Sequence, residues 1–182
     1  MLIQSDAAIW TQANNTGYYE KTEELLVSPA IMEIPAGKAQ IFRVSLRGAF
    51  PKSGERAFRL FLEDVSEPAE GSGINLRIRH DLPVMVAGSK IGKALARLGP
   101  CDSPNDKICV HLDNIGDRHL RVTNLQLAGT TWRQEIDTVS VVLAGAWKEW
   151  SFGRPADYTG PLTVNAETSA GPLSIELPAL SR

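Results

Sequence analysis

Residues that commonly carry chemistry are scarce in this chain. Its 182 residues include three histidines, His80, His111 and His119, and two cysteines, Cys101 and Cys109. His111 and His119 bracket a turn with Asp113 and Asp117 between them, yet no nucleophile motif accompanies the set, so each reads as a structural histidine on a strand. Gly71-Ser72-Gly73 is not a nucleophile elbow, because its glycines flank the serine directly. Gly88-Ser-Lys-Ile-Gly-Lys93 is one residue short of a phosphate loop and lacks the Ser or Thr after the lysine that would hold magnesium. Glu63-Asp64 and the group Glu20, Glu23 and Glu24 read as solvated charges. No catalytic constellation emerges, and no cofactor is expected.

A strong charge of either sign is also missing. Net charge is -2 and the pI is near 5.9, which leaves no global electrostatic case for binding nucleic acid or an anionic membrane. No apolar run approaches the ~20 residues that a membrane-crossing helix needs, so no membrane insertion is expected. The opening Met-Leu-Ile-Gln-Ser-Asp has neither a basic nor an apolar region of signal-peptide type. No long segment carries helical periodicity.

What remains is strand and turn. The 15 Gly and 11 Pro punctuate short apolar runs at regular spacing, the pattern of a β-sandwich. Leu2 to Gln12 reads as a strand and Asn14-Asn15-Thr16-Gly17 as a turn. Leu25–Pro29 with Ile31–Pro35 reads as one strand broken by prolines, followed by strands over Ala39–Leu46 and Ala57–Val65. A second set begins at Lys107–Leu112 and continues through Leu120–Leu127, Val139–Gly145, Trp147–Phe152, Gly160–Asn165 and Gly171–Leu177. Gly88 to Lys93, small and basic, suits a linker. The expectation is two all-β domains, 1–87 and 94–182, joined by residues 88–93.

One stretch is unusual. From Gly73 to Val86 the even positions Ile74, Leu76, Ile78, Leu82, Val84 and Val86 are apolar, with His80 the exception. The odd positions include Asn75, Arg77, Arg79, Asp81 and Pro83. Alternation with a period of two puts each set on its own face of an extended strand, roughly twice the ordinary strand length of five to six residues. Pro83 donates no backbone hydrogen bond, which favours a sheet edge or a strand end. A long apolar-faced edge strand invites pairing with another chain.

The cysteines leave three readings open. Cys101 and Cys109 flank a segment that is turn-rich at its start, so a disulfide across a hairpin fits the spacing and implies an oxidising compartment. Two reduced thiols fit as well. A zinc site would need His111 and His119 as the further ligands, and that order matches none of the usual close-paired spacings.

Pieces in both halves resemble one family, the periplasmic chaperones of the chaperone–usher pilus pathway, nearest to those serving spore-coat-U-like secreted pili. In the first half these are Trp10-Thr-Gln12, Leu26-Val-Ser-Pro29, Ile34-Pro-Ala-Gly37, Gln40-Ile-Phe-Arg-Val44, Phe58-Arg-Leu-Phe-Leu-Glu63, Leu76-Arg-Ile-Arg79 and Leu82-Pro-Val84. In the second they are Leu112-Asp-Asn-Ile-Gly116, Arg118-His-Leu120, Val142-Leu-Ala-Gly145 and Trp150. Each piece alone is weak; their order and spacing are specific. The resemblance implies two immunoglobulin-like β-sandwich domains and a non-enzymatic, periplasmic chaperone. Such a protein binds and folds pilus subunits, then delivers them to an outer-membrane usher. The rival reading is a two-domain immunoglobulin-like adhesion or ligand-binding module that lends no strand.

The resemblance also assigns roles. Ile74, Leu76 and Ile78 match the strand that such chaperones lend to the open groove of a subunit, donor-strand complementation. Arg79 best matches one of two basic residues that anchor the subunit's C-terminal carboxylate, with Arg77 two residues away as the alternative. The second basic residue belongs to the family's first strand. Strands matching the family's first two do not precede Met1, so the first domain is expected to be incomplete, as in an N-terminally truncated chain.

Overall fold

The computed structural model describes residues 1–67, 76–90, 92–101, 107–153 and 160–177, and no helix occurs among them. Among the described residues, therefore, no helix is long and apolar enough to cross a membrane. The chain divides into two compact units. Met1–Thr11, Tyr18–Lys52 and Arg56–Ser89 form the first; Gln12–Gly17, Ser53–Glu55 and Lys90–Arg182 form the second.

The first half supplies β1 (Leu2–Ala13), β2 (Thr16–Lys21), β3 (Leu25–Ser28), β4 (Ile31–Glu33), β5 (Arg43–Leu46), β6 (Glu55–Asp64) and β7 (Arg79–Ala87). One sheet runs β2-β1-β6-β7, with β4 added to the start of β1; among the described residues a second holds β3 and β5. The β1–β2 turn places Asn14 and Asn15 at φ 51° and 61°. Two successive left-handed residues are what a tight hairpin needs, and asparagine tolerates that conformation.

The stretch expected to be one proline-broken strand is two strands in different sheets. Leu25 and Val27 face Leu46 and Val44 of β5, whereas Ile31–Glu33 lines up with Leu2–Gln4 of β1. Ser5 holds the crossover. Its amide donates to Ala30 O at 2.8 Å and its hydroxyl to Pro29 O at 2.9 Å. A serine is tolerated in the buried stripe of β1 because those carbonyls satisfy it.

The core of this unit is small. Ala7, Leu25 and Phe58 form its buried cluster, with Ile9, Val27, Leu46, Val84 and Val86 packed partly against it. The facing two-stranded sheet is four residues long on each strand.

The second half is a fuller sandwich. Its strands are β8 (Ala96–Cys101), β9 (Lys107–Asn114), β10 (Leu120–Ala128), β11 (Arg133–Val142), β12 (Trp147–Gly153), β13 (Leu162–Thr168) and β14 (Gly171–Leu177). The sheets run β11-β10-β13-β14 and β12-β9-β8. Val110, Leu112 and Phe152 from one sheet and Leu120, Val122, Leu125, Leu127, Leu162 and Val164 from the other have no exposed surface. Strict alternation in β10 would pair Asn124 with Leu120 and Val122. Instead a bulge between Val122 and Asn124 shifts the phase, so Leu125 and Leu127 point inward. An extra residue in one strand does this.

Asn114, 1% exposed, holds the Asp113–Asp117 turn. Its amide donates to Arg118 O at 2.7 Å and Val142 O at 2.9 Å, and its carbonyl accepts from Gly116 N at 3.1 Å. Gly116 sits so close to the backbone of Lys93 and Leu95 that any Cβ would collide with it.

Candidate functional site

The stretch from Gly73 to Val86 is not one continuous strand. Ile74 lies outside the described residues, and the assigned strand β7 begins at Arg79. Ile78 still accepts a backbone hydrogen bond from Asp64 N at 3.0 Å, so the chain is alongside β6 before the strand proper starts. β7 is at the edge of its sheet, the kind of position at which a proline such as Pro83 is tolerated.

Exposure grades along the apolar positions. Val84 and Val86 pack on the core cluster. Leu82, Ile78 and Leu76 are 43%, 60% and 81% exposed. Leu76 and Ile78 are therefore not used by the unit's own core. Beside them opens a cavity of about 260 Å³ lined by Met1, Ile3, Phe42, Leu62, Ile78 and His80, among others. Its lining is chiefly hydrocarbon, and Asp64 stands in its wall.

The two arginines differ in surroundings. The Asp64 carboxyl is held below the usual carboxylate range by hydrogen bonds from Ser66, against the effect of burial, with further help from the chain's amino terminus and from the Arg77 charge. Arg77 thus has a carboxylate in its field. Arg79 makes no ion pair among the described residues; its guanidinium lies 4.6 Å over the ring of Phe61 on β6. Phe61 in turn meets Tyr19 of β2 edge-on, centroids 6.2 Å apart. Next along β6, Arg59 lies 3.8 Å over the Trp10 ring and 5.8 Å from that of Tyr19, and pairs with Asp81 of β7 at 3.1 Å.

Reasoning from sequence missed Tyr19, Arg59, Phe61 and Asp81. The alternation of β6 puts Arg59 and Phe61 on one face, but which strands flank that face is not written in it.

In the second unit, Cys101 and Cys109 stand directly opposite on β8 and β9 and are joined by a disulfide, Cα to Cα 5.1 Å. His111 and His119 do not join them. His119 Nδ1 is 2.6 Å from Glu55 Oε1, and His111 lies between Glu149 and Asp113. The four residues of the zinc alternative are spoken for separately.

The first unit thus has an edge strand preceded by apolar side chains that its own core does not bury. The family model for pili and flagellar-assembly chaperones, that of the PapD N-terminal domain, matches residues 1–91 of the 182. The chain belongs to this family of pilus assembly chaperones.

Solved structures give the same fold. A chain of the CsuC–CsuE chaperone–tip adhesion subunit pre-assembly complex, from archaic chaperone–usher Csu pili of Acinetobacter baumannii, aligns over 99% of this chain and 86% of its own, at 17% identity and a TM-score of 0.72. The YadV chaperone aligns over 97% and 85% at 14% identity, TM-score 0.63. For the CupB2 chaperone of Pseudomonas aeruginosa the values are 99%, 87%, 13% and 0.60. The fold is the two-domain immunoglobulin-like fold of these chaperones. No curated protein matches by sequence.

Proposed function

We propose that this chaperone binds pilus subunits by donor-strand complementation, using the segment that leads into β7. The observation that carries the reading is the exposure of Leu76 and Ile78 at 81% and 60%, in a family whose members assemble pili. Two large apolar side chains held outward cost solvation in the free protein and gain it back in a subunit groove, roughly 1.5–3 kcal/mol each before ordering costs. Ile74, in the same alternation, serves as the third.

Arg79 anchors the subunit's terminal carboxylate. It is preferred to Arg77 because no carboxylate of the described residues already engages it, whereas Arg77 acts on Asp64. A guanidinium can hold a carboxylate through two parallel bonds. The protein works without catalysis and without a cofactor, in the periplasm, and passes its cargo to an outer-membrane usher. Residues 1–87 and 94–182 act as its domains with 88–93 as linker, a reading that the division of the chain between Ser89 and Lys90 supports.

The test is co-purification of a tagged pilus subunit with wild-type chaperone and with Leu76→Asp. Loss of at least tenfold in captured subunit, with an unchanged melting temperature, is the expected result. Normal capture by a folded Leu76→Asp variant would exclude strand lending.

A further inference from the structure

Arg79 does not stand alone on its sheet face. Three side chains from three strands make a run across it: Arg79 on β7, Phe61 on β6 and Tyr19 on β2, at 4.6 Å and 6.2 Å from one to the next. The acid nearest in sequence, Asp81, is taken up by Arg59 at 3.1 Å. Arg59 is itself fixed over Trp10 at 3.8 Å, and with 17% of its side chain exposed it is poorly placed to meet a ligand. Arg79 is the exposed member.

An exposed arginine normally loses rotamer freedom when it is fixed on a ligand. Seating the guanidinium on an aromatic ring removes part of that freedom beforehand and adds a cation–π attraction. The donors of the guanidinium lie in its plane, so contact through one face leaves N–H groups free for a carboxylate. Phe61, half-buried, cannot swing away readily, because Tyr19 supports it from the side.

Resting on the reading of Arg79 as the carboxylate anchor, we propose that Phe61, buttressed by Tyr19, is the positioning residue that holds Arg79 ready for a terminal carboxylate. The Arg59–Asp81 pair serves the same end by keeping the neighbouring acid away from Arg79.

The experiment uses the whole chain and two synthetic strand peptides of alternating valine and threonine, identical except that one ends in a free carboxylate and the other in an amide. The quantity read is the ratio of their dissociation constants, measured by fluorescence anisotropy. Wild type is expected to prefer the free carboxylate about tenfold, the size of one good charge-assisted contact. Arg79→Ala should bring the ratio near one. Phe61→Leu should lower it at least threefold while Arg79 remains, and Phe61→Tyr should restore it. Tyr19→Leu, at a residue 51% exposed, gives a second, milder variant in case Phe61→Leu weakens the fold.

If Arg79→Ala abolishes the preference but folded Phe61→Leu and Tyr19→Leu keep it whole, the positioning role is overturned and the anchor survives. If Arg79→Ala leaves the preference intact, the anchor is overturned and the positioning role goes with it. A wild-type chain that binds both peptides alike, or neither, overturns both.

Discussion

His111 lies between two carboxylates, its Nδ1 3.0 Å from Glu149 Oε1 and its Nε2 3.0 Å from Asp113 Oδ1. Its ring stacks on Trp147, centroids 5.0 Å apart. Both nitrogens can donate only when the imidazole is protonated. Burial opposes that charge, but the hydrogen bonds and charges of Glu149 and Asp113 outweigh it, and the pKa rises above its ordinary value. Asp113 is shifted the other way, by its bond to His111 and then, against burial, by Arg97.

The sign of the pH dependence follows. A group whose folded pKa is raised contributes fully below its unfolded value of about 6.5 and loses that contribution as pH rises through the folded value. As pH rises above about 6.5 the wild type should therefore lose stability that His111→Gln never had. At the acid end Asp113 contributes above its unfolded value of about 3.9, and that share goes as pH falls through its lowered folded value. Thermal unfolding followed by circular dichroism across this range checks the difference in slope. Parallel curves for the two proteins would show that the clamp carries no proton-linked stability.

The Cys101–Cys109 bond ties β8 to β9 across a short loop. For so short a closure the stabilisation is about 2–3 kcal/mol. The double replacement Cys101→Ser with Cys109→Ser should lower the unfolding free energy of the second unit, read from urea titration, by that amount, and a dithiol reductant should do the same to the wild type but nothing to the double variant. Equal response of both proteins to reductant would count against the bond in solution.

Asn114 reaches three backbone groups from a position with almost no exposure. Asn114→Ala removes their partner and leaves buried carbonyls unsatisfied, at a cost of about 2–3 kcal/mol. Asn114→Asp should be no better, because a carboxylate cannot donate to Arg118 O or Val142 O. Chemical unfolding of the two variants against wild type gives the comparison. A cost under about 0.5 kcal/mol would mean that water replaces the amide there.

How far the sequence could be read depends on what each pattern encodes. Period-two alternation and turn residues locate strands well, because side-chain direction follows from local backbone geometry; β1, β9, β12 and β14 are legible this way. β2 and β8 are not, since Gly17, Tyr18 and Tyr19 or Gly99 and Pro100 carry no clean alternation. The bulge at Thr123 and the sheet change after Ser28 are settled by partners distant in sequence. The same limit applies at the site. Arg79 and Leu76 could be picked from one run of residues, whereas Phe61 and Tyr19 matter through cross-strand contacts that no local pattern records.

The strongest contrast in the first unit is between Phe58, with no exposed surface, and Leu76, at 81%. Both are large apolar residues on alternating stretches. If Leu76 belonged to the unit's own core, truncating either should be costly. Phe58→Ala empties the centre of a small cluster and should cost about 3–5 kcal/mol, enough to unfold much of the unit. Leu76→Ala should change stability by no more than about 0.5 kcal/mol, as at any exposed position, while lowering subunit capture about tenfold, as the loss of one buried side chain would. Differential scanning calorimetry beside a capture assay reads both quantities on the same preparations. A Leu76→Ala protein that melts early would place the side chain in the chaperone's own core, and strand lending would then need other residues.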